Sequence, residues 1–182
     1  MKTILTILTA FLAGFTIAAD TEGIKAANLV GADVELMKNH DPASELENFE
    51  LLPGYEANLF AAEPMLANPV HMHWDTRGRL WVACSWAYPQ LKPGEEANDK
   101  IIILEDTDDD GVADKSTVFA DGLYVPTGLE LANGGCYVGQ SPDVFFFKDT
   151  DGDDVADGKQ LALTGFGIED SHHSISAWRR GP

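Results

Sequence analysis

Two acidic stretches and one pair of histidines hold the side chains best suited to chemistry. Asp106–Asp114 reads DTDDDGVAD, and Asp149–Asp157, 43 residues on, reads DTDGDDVAD. Oxygen ligands at alternate positions, with a sharp turn at the sixth, are what a calcium loop of the EF-hand type requires. In the first stretch Asp106, Asp108, Asp110, the backbone carbonyl of Val112 and Asp114 fill the ligand positions in order, and Gly111 supplies the turn. Thr117 stands where such loops usually carry a closing Glu. In the second, Asp149, Asp151, Asp153 and Asp157 repeat the spacing, with Asp154 in place of the glycine. Two carboxylates about 4 Å apart repel by roughly 4 kcal/mol at an effective dielectric near 20. Converging carboxylates therefore call for a cation, and hard oxygen donors point to Ca²⁺ in a structural role. The plainer reading is an acidic turn whose carboxylates splay into water.

His172-His173 follow a polar, glycine-containing entry, Gly165 to Ser171, that includes Glu169 and Asp170. A histidine beside carboxylates can act as a general base, or the pair can be a surface feature without a role. His71 and His73 alternate along Val70–Trp74, so both face one side of a strand, where two imidazoles could ligate a metal given a third ligand. His40 reads as an exposed turn residue. Trp74, Trp81 and Phe145–Phe147 fall in strand-like runs and read mainly as packing, whereas Trp86 and Tyr88 lie in a polar insert and suit ligand contact. The chain has no CxxCH haem motif, no P-loop, no GxGxxG after a strand and no GxSxG elbow.

The acidic stretches are part of a longer repeat. Ile101–Leu104 precedes the first and Val144–Phe147 the second; Thr117–Leu123 follows the first and Gln160–Phe166 the second. Upstream, Pro69–Asp75 leads to Gly78–Ala83, as Pro126–Ala132 leads to Gly134–Gly139. A third copy is expected to begin as a strand at Ser174–Trp178. The unit is strand, turn, strand, loop, strand, acidic loop, strand, which is the plan of a propeller blade. The expected fold is all-β: an incomplete β-propeller of four-stranded blades, about two and a half of them, forming the N-terminal piece of a longer protein. Trp86–Asn98 is an insert in the first unit, expected as a loop on one face.

Residues 1–19 have the form of a secretory signal peptide, with Lys2 before an uncharged apolar run from Ile4 to Ile17 and small residues behind it. The expected location is therefore exported, periplasmic or extracellular. Residues 20–48 read as a lead-in with helical patterning over Leu29–Met37 and a helix start at Pro42-Ala43-Ser44-Glu45. The partial propeller spans 49–182. A net charge of −18 excludes a nucleic-acid binder, which needs clustered Lys and Arg. Export permits a Cys84–Cys136 disulfide, but both cysteines sit in apolar strand-like runs where free buried thiols are common.

The series Pro53–Glu56, Ala61–Pro64, Asn68–Val70, Trp74-Asp75, Gly78–Val82 and the two aspartate loops resembles the bacterial membrane-bound dehydrogenase family of glucose/sorbosone dehydrogenase-like β-propellers. The resemblance covers Phe49 to Pro182. That group also shows a His followed eight residues later by the Gly of a Gly-Pro turn, matched here by His173 and Gly181-Pro182. It implies an oxidoreductase that passes hydride from a sugar or alcohol to pyrroloquinoline quinone (PQQ), with His173 as base, His172 as its neighbour and a cytochrome c as electron acceptor. Ile175 and Ser176 depart from the small glycines that the pattern places after the His. The rival expectation is a non-catalytic propeller that binds carbohydrate or protein.

Overall fold

The computed structural model describes residues 3–7, 41–179 and 181. Leu29–Met37, His40 and most of the expected signal peptide lie outside the described residues. Two compact units divide at Phe60 and Ala61.

In the first unit, strand β1 (Thr3–Ile7) pairs in parallel with β2 (Tyr55–Leu59). The stretch read as a signal peptide is rich in Ile, Thr and Leu, and five of its residues form a strand here. Helix α1 (Pro42–Glu47) begins where the sequence predicts. Asp41 caps it, accepting from the Ala43 N–H at 3.2 Å and the Ser44 hydroxyl at 3.3 Å, and Pro42 fits the first turn, where no N–H is needed.

The second unit is two antiparallel four-stranded sheets, each a simple meander. Sheet one is β3 (Pro69–Trp74), β4 (Leu80–Cys84), β5 (Asp99–Glu105) and β6 (Lys115–Leu123). Sheet two is β7 (Gly128–Ala132), β8 (Gly135–Gln140), β9 (Asp143–Lys148) and β10 (Gly158–Thr164). An all-β arrangement and four strands per unit both follow from the repeat. Each acidic loop joins the third strand of its sheet to the fourth, and Trp86–Asn98 is a strand-free connection between β4 and β5.

The two sheets share one core. Trp81, Ile101, Ile103, Phe119 and Leu123 of sheet one meet Leu129, Cys136, Val138 and Phe147 of sheet two. Each such side chain, fully buried, contributes about 1.5–3 kcal/mol relative to exposure. Trp81 and Phe119 meet edge to face at 4.6 Å. Cys84 and Cys136 are buried free thiols in different sheets. Burial raises the Cys84 thiol pKa to about 11 and pushes that of Cys136 up as well.

Both sheets carry a bulge at the same repeat position. The register slips past Phe119 between β5 and β6, and past Ala162 between β9 and β10. A bulge leaves a residue outside the ladder. The Phe119 carbonyl is thereby free to accept from the Ala156 N–H at 2.8 Å, which ties the second acidic loop to sheet one. β6 buries Phe119, Ala120 and Leu123, whereas β10 is exposed throughout, Leu161 and Leu163 included.

One expectation fails. Ser174–Trp178 is not a strand: a short 3-10 turn at Ser171–His173 leads into irregular backbone. A strand needs a hydrogen-bonded neighbour, and among the described residues none flanks this segment. It is held instead on sheet two, where the Thr127 hydroxyl donates to the Ile175 carbonyl at 2.8 Å. Paired Gly128 and Gly139 allow this approach. A Cβ on Gly128 would collide with the Trp178 ring, and one on Gly139 would come within 2.8 Å of Ile175 Cγ2.

Candidate functional site

The aspartate loops fold as near-copies. Asp114 Oδ2 accepts from the Thr107 hydroxyl at 2.7 Å, and Asp157 Oδ2 from the Thr150 hydroxyl at 2.6 Å. The Val112 N–H donates to Asp110 and the Val155 N–H to Asp153. Each loop needs two left-handed residues and spends one glycine on them, in opposite order: Asp109 and Gly111 in the first, Gly152 and Asp154 in the second. The missing glycine at Asp154 is thus offset by a glycine two residues earlier.

The loops draw together Asp106, Asp108 and Asp114, and Asp149, Asp151 and Asp153, each set with one oxygen per residue within 4.8 Å of the others. Asp110 and Asp157 fall outside these sets and satisfy backbone N–H groups. The charge has a consequence within each loop. Asp110 repels Asp108, and Asp153 repels Asp151, so both carboxyls are held above the usual aspartate range. Asp106 is held below it: desolvation opposes, but N–H donors led by Gly111 and Asp110 prevail. An all-oxygen, mutually repelling donor set fits a hard divalent cation.

Asp154 has a second role. Its carboxylate leaves the loop and reaches sheet one, 2.7 Å from Arg79 Nη1 and 3.1 Å from Arg77 Nη2. Arg79 Nε also donates to Asp75 Oδ2 at 2.9 Å, where the Trp81 indole donates at 3.1 Å. The Arg79 side chain is only 5% exposed.

The histidine pair lies near the opposite ends of these strands. Asp170 caps the Ser171–His173 turn with the His172 N–H at 2.8 Å, while its oxygens meet His172 Nδ1 at 3.1 Å and His173 Nδ1 at 2.7 Å. The backbone N–H of His172 first, then the two imidazoles, hold the Asp170 carboxyl down at about 2. One ionised carboxylate therefore orients both rings, and with Nδ1 so engaged each presents Nε2 outward. The rings are open to solvent, His173 at 83%. Tyr88 of the insert stands edge-on to His172 at 5.9 Å.

Beside the pair lies a cavity of about 380 Å³, walled by Tyr124, Gln140, Asp143, Ile168, Asp170 and Ser174 among others. The Tyr124 N–H donates to Gln140 Oε1 at 2.8 Å, leaving the Gln140 amide nitrogen as a donor. PQQ bears three carboxylates. The wall has no Lys or Arg and carries Asp143 and Asp170, so it does not fit that cofactor.

Sequence reasoning singled out His172, His173 and Tyr88, and the fold gathers all three. Trp86 points elsewhere, with the Lys100 ammonium 5.7 Å from its ring. Reasoning from sequence missed Tyr124, just past β6, and Gln140, the last residue of β8, which no motif marks. His71 and His73 sit on β3 facing Glu130 of β7.

No curated protein and no solved structure matches the chain. Residues 41–182 match the family described as domain of unknown function DUF7133, and the chain belongs to that family.

Proposed function

We propose that this chain is part of an exported, calcium-stabilised β-propeller of a sugar or alcohol dehydrogenase-like protein, and that it supplies the base that deprotonates a substrate hydroxyl. The observation that carries the reading is the single carboxylate, Asp170, orienting His172 and His173 through Nδ1 beside Tyr88 and an open cavity. His173 Nε2 takes the hydroxyl proton; Asp170 holds the ring and stabilises the imidazolium that forms. Gln140, Tyr124 and Ser174 offer donors and acceptors to neighbouring hydroxyls. The reading stops at proton abstraction, because the cavity does not suit a quinone tricarboxylate. The propeller reading is supported by the two meanders, their packed first strands and their matching bulges.

The full-length gene product, isolated with its own cofactor and assayed with a dye acceptor on aldoses and alcohols, tests the function. His173→Ala is expected to lower kcat/KM by about 100-fold or more, and Asp170→Asn to lower it less while shifting the pH profile. Unaltered turnover in both variants would sink the base assignment. Saturable sugar binding with no turnover in the parent would favour the non-catalytic reading instead.

Calcium makes a separate prediction with a sign change. Saturating Ca²⁺ at about 100 times Kd should stabilise the fold by roughly 2.7 kcal/mol per site. Asp108→Asn should raise Tm slightly without Ca²⁺, because it relieves repulsion from Asp110, and lower it with Ca²⁺, because it removes a ligand. Thermal melts of both proteins in chelator and in Ca²⁺ check this; the same shift in both buffers would count against a bound ion.

A further inference from the structure

Taking His173 as the base that meets a substrate hydroxyl in the cavity beside it, we infer that Gln140 and Asp143 select that substrate, and that its class is a vicinal amino alcohol, such as a 2-amino sugar, bearing no anionic group. Gln140 closes β8 and Asp143 opens β9, directly opposite each other across the Ser141-Pro142 turn. Opposed residues of an antiparallel pair lie on one face, with Cβ atoms about 4.5–5.5 Å apart. Both residues line the cavity.

Their unshared atoms are of opposite kind. Gln140 Oε1 accepts from the Tyr124 N–H at 2.8 Å, so Nε2 remains to donate. Asp143 Oδ1 accepts from the Thr164 hydroxyl at 2.6 Å, and among the described residues Oδ2 has no partner. The turn between them is tied down, since the Pro142 carbonyl accepts from the Gly165 and Phe166 N–H groups, each at 3.1 Å. One donor and one charged acceptor are thus held side by side before a ligand arrives, which lowers the cost of ordering them.

Charge decides what meets this pair. The wall carries Asp143 and Asp170 and no Lys or Arg. Asp170 is already occupied by both imidazoles and the His172 N–H. Asp143 has one hydroxyl and no cation. A carboxylate so placed attracts an ammonium and repels a carboxylate or phosphate. An ammonium has donors only and suits Asp143 Oδ2, while a hydroxyl on the next carbon accepts from Gln140 Nε2. The reverse arrangement would set donor against donor. Tyr124, Val125 and Ile168 supply apolar wall for the CH groups of a ring, and about 380 Å³ lies within the usual range of small-molecule sites.

Calorimetric titration of the full-length protein with glucosamine, glucose and glucuronate reads affinity without turnover. Glucosamine is expected to bind about tenfold or more tightly than glucose, the lower end for a hydrogen bond to a charged group, and glucuronate most weakly. Asp143→Asn keeps the side-chain shape and should bring the glucosamine-to-glucose ratio close to one. Asp143→Glu keeps the charge and should retain part of the preference, an outcome that misfolding would not give. Absence of glucosamine binding, equal affinity for all three sugars, or an unchanged ratio in Asp143→Asn overturns the assignment. Turnover in His173→Ala separates it from the base. Amine preference with unaltered turnover in that variant sinks the base and leaves the selection standing; lost turnover without the preference does the reverse.

Discussion

Asp99→Ala is expected to destabilise the second unit by about 4 kcal/mol, counting three buried donors left unpaired at roughly 1–3 kcal/mol each, with some relief from water entry. Asp99 opens β5 and is 1% exposed. Its Oδ2 accepts from the Ser85 hydroxyl at 3.0 Å and the Val125 N–H at 2.7 Å; its Oδ1 accepts from the Ala87 N–H at 2.9 Å. One carboxylate thus fastens the end of β4, the start of the insert and the crossing from sheet one to sheet two. Val125 has φ +45, an unfavourable conformation for a β-branched residue. A strained backbone persists only where its surroundings over-determine it, and the bond to Asp99 is one such constraint.

Asp99→Asn discriminates between charge and shape. Whichever way the amide turns, its NH₂ faces a backbone N–H, that of Val125 or that of Ala87. The expected loss is about 2 kcal/mol, smaller than for Ala because one accepting oxygen remains. Ala87 precedes Tyr88, and Val125 follows Tyr124, so both substitutions should also disturb the wall around His172. Urea unfolding followed by tryptophan fluorescence measures the stabilities. Equal stability of Asp99→Ala and the parent would mean that water replaces the carboxylate at no cost.

Local and repeated features were legible in the sequence; pairings between distant residues were not. The four-strand unit could be read because the aspartate loops fix an offset of 43, and that offset carries even the bulge from Phe119 to Ala162. The helix start at Pro42 is a matter of neighbouring residues only. Asp154 looked like a defect in a calcium loop, since nothing nearby reveals that its partner Arg79 lies 75 positions earlier. Asp99, one residue past the insert, carried no signal in the sequence, because its three donors are 12 to 26 residues away. Glu130 could not be matched to His73 before the two sheets were set side by side. Ser174–Trp178 has strand-like composition, but composition does not supply a neighbouring strand. The shared carboxylate of the histidine pair sits within three residues of both rings, and for that reason the pair was visible early.

Replacing Arg79 with Met should cost about 3–5 kcal/mol, the usual range when one partner of a buried ion pair is removed. The Arg79 side chain is 5% exposed and lies between Asp75 of the β3–β4 turn and Asp154 of the second acidic loop. Glu105 adds a third carboxylate, 3.7 Å from Nη1. Met fills similar space but removes the buried cation these acids share, leaving only the more exposed Arg77 on Asp154 and Lys115 on Glu105. Desolvation opposes ionisation of Asp75 and Asp154, yet the hydrogen bonds they accept, from the Arg79 N–H and guanidinium respectively, hold both below the usual aspartate value. The pH signature follows in sign. A carboxyl with a depressed folded pKa contributes full stability above its unfolded value of about 3.9 and loses it as pH falls through the lower folded value. The parent should therefore lose stability steeply below about pH 4, and Arg79→Met should show a shallower acid limb. Asp154→Asn in the Arg79→Met background should recover part of the loss, since it removes a carboxylate that has lost its buried guanidinium and keeps only the exposed Arg77. A double-mutant cycle on these two positions isolates the coupling. Coupling near zero would mean that the Arg79 contact does not hold the loop to sheet one, and that Arg77 and the Ala156–Phe119 backbone bond do so without it.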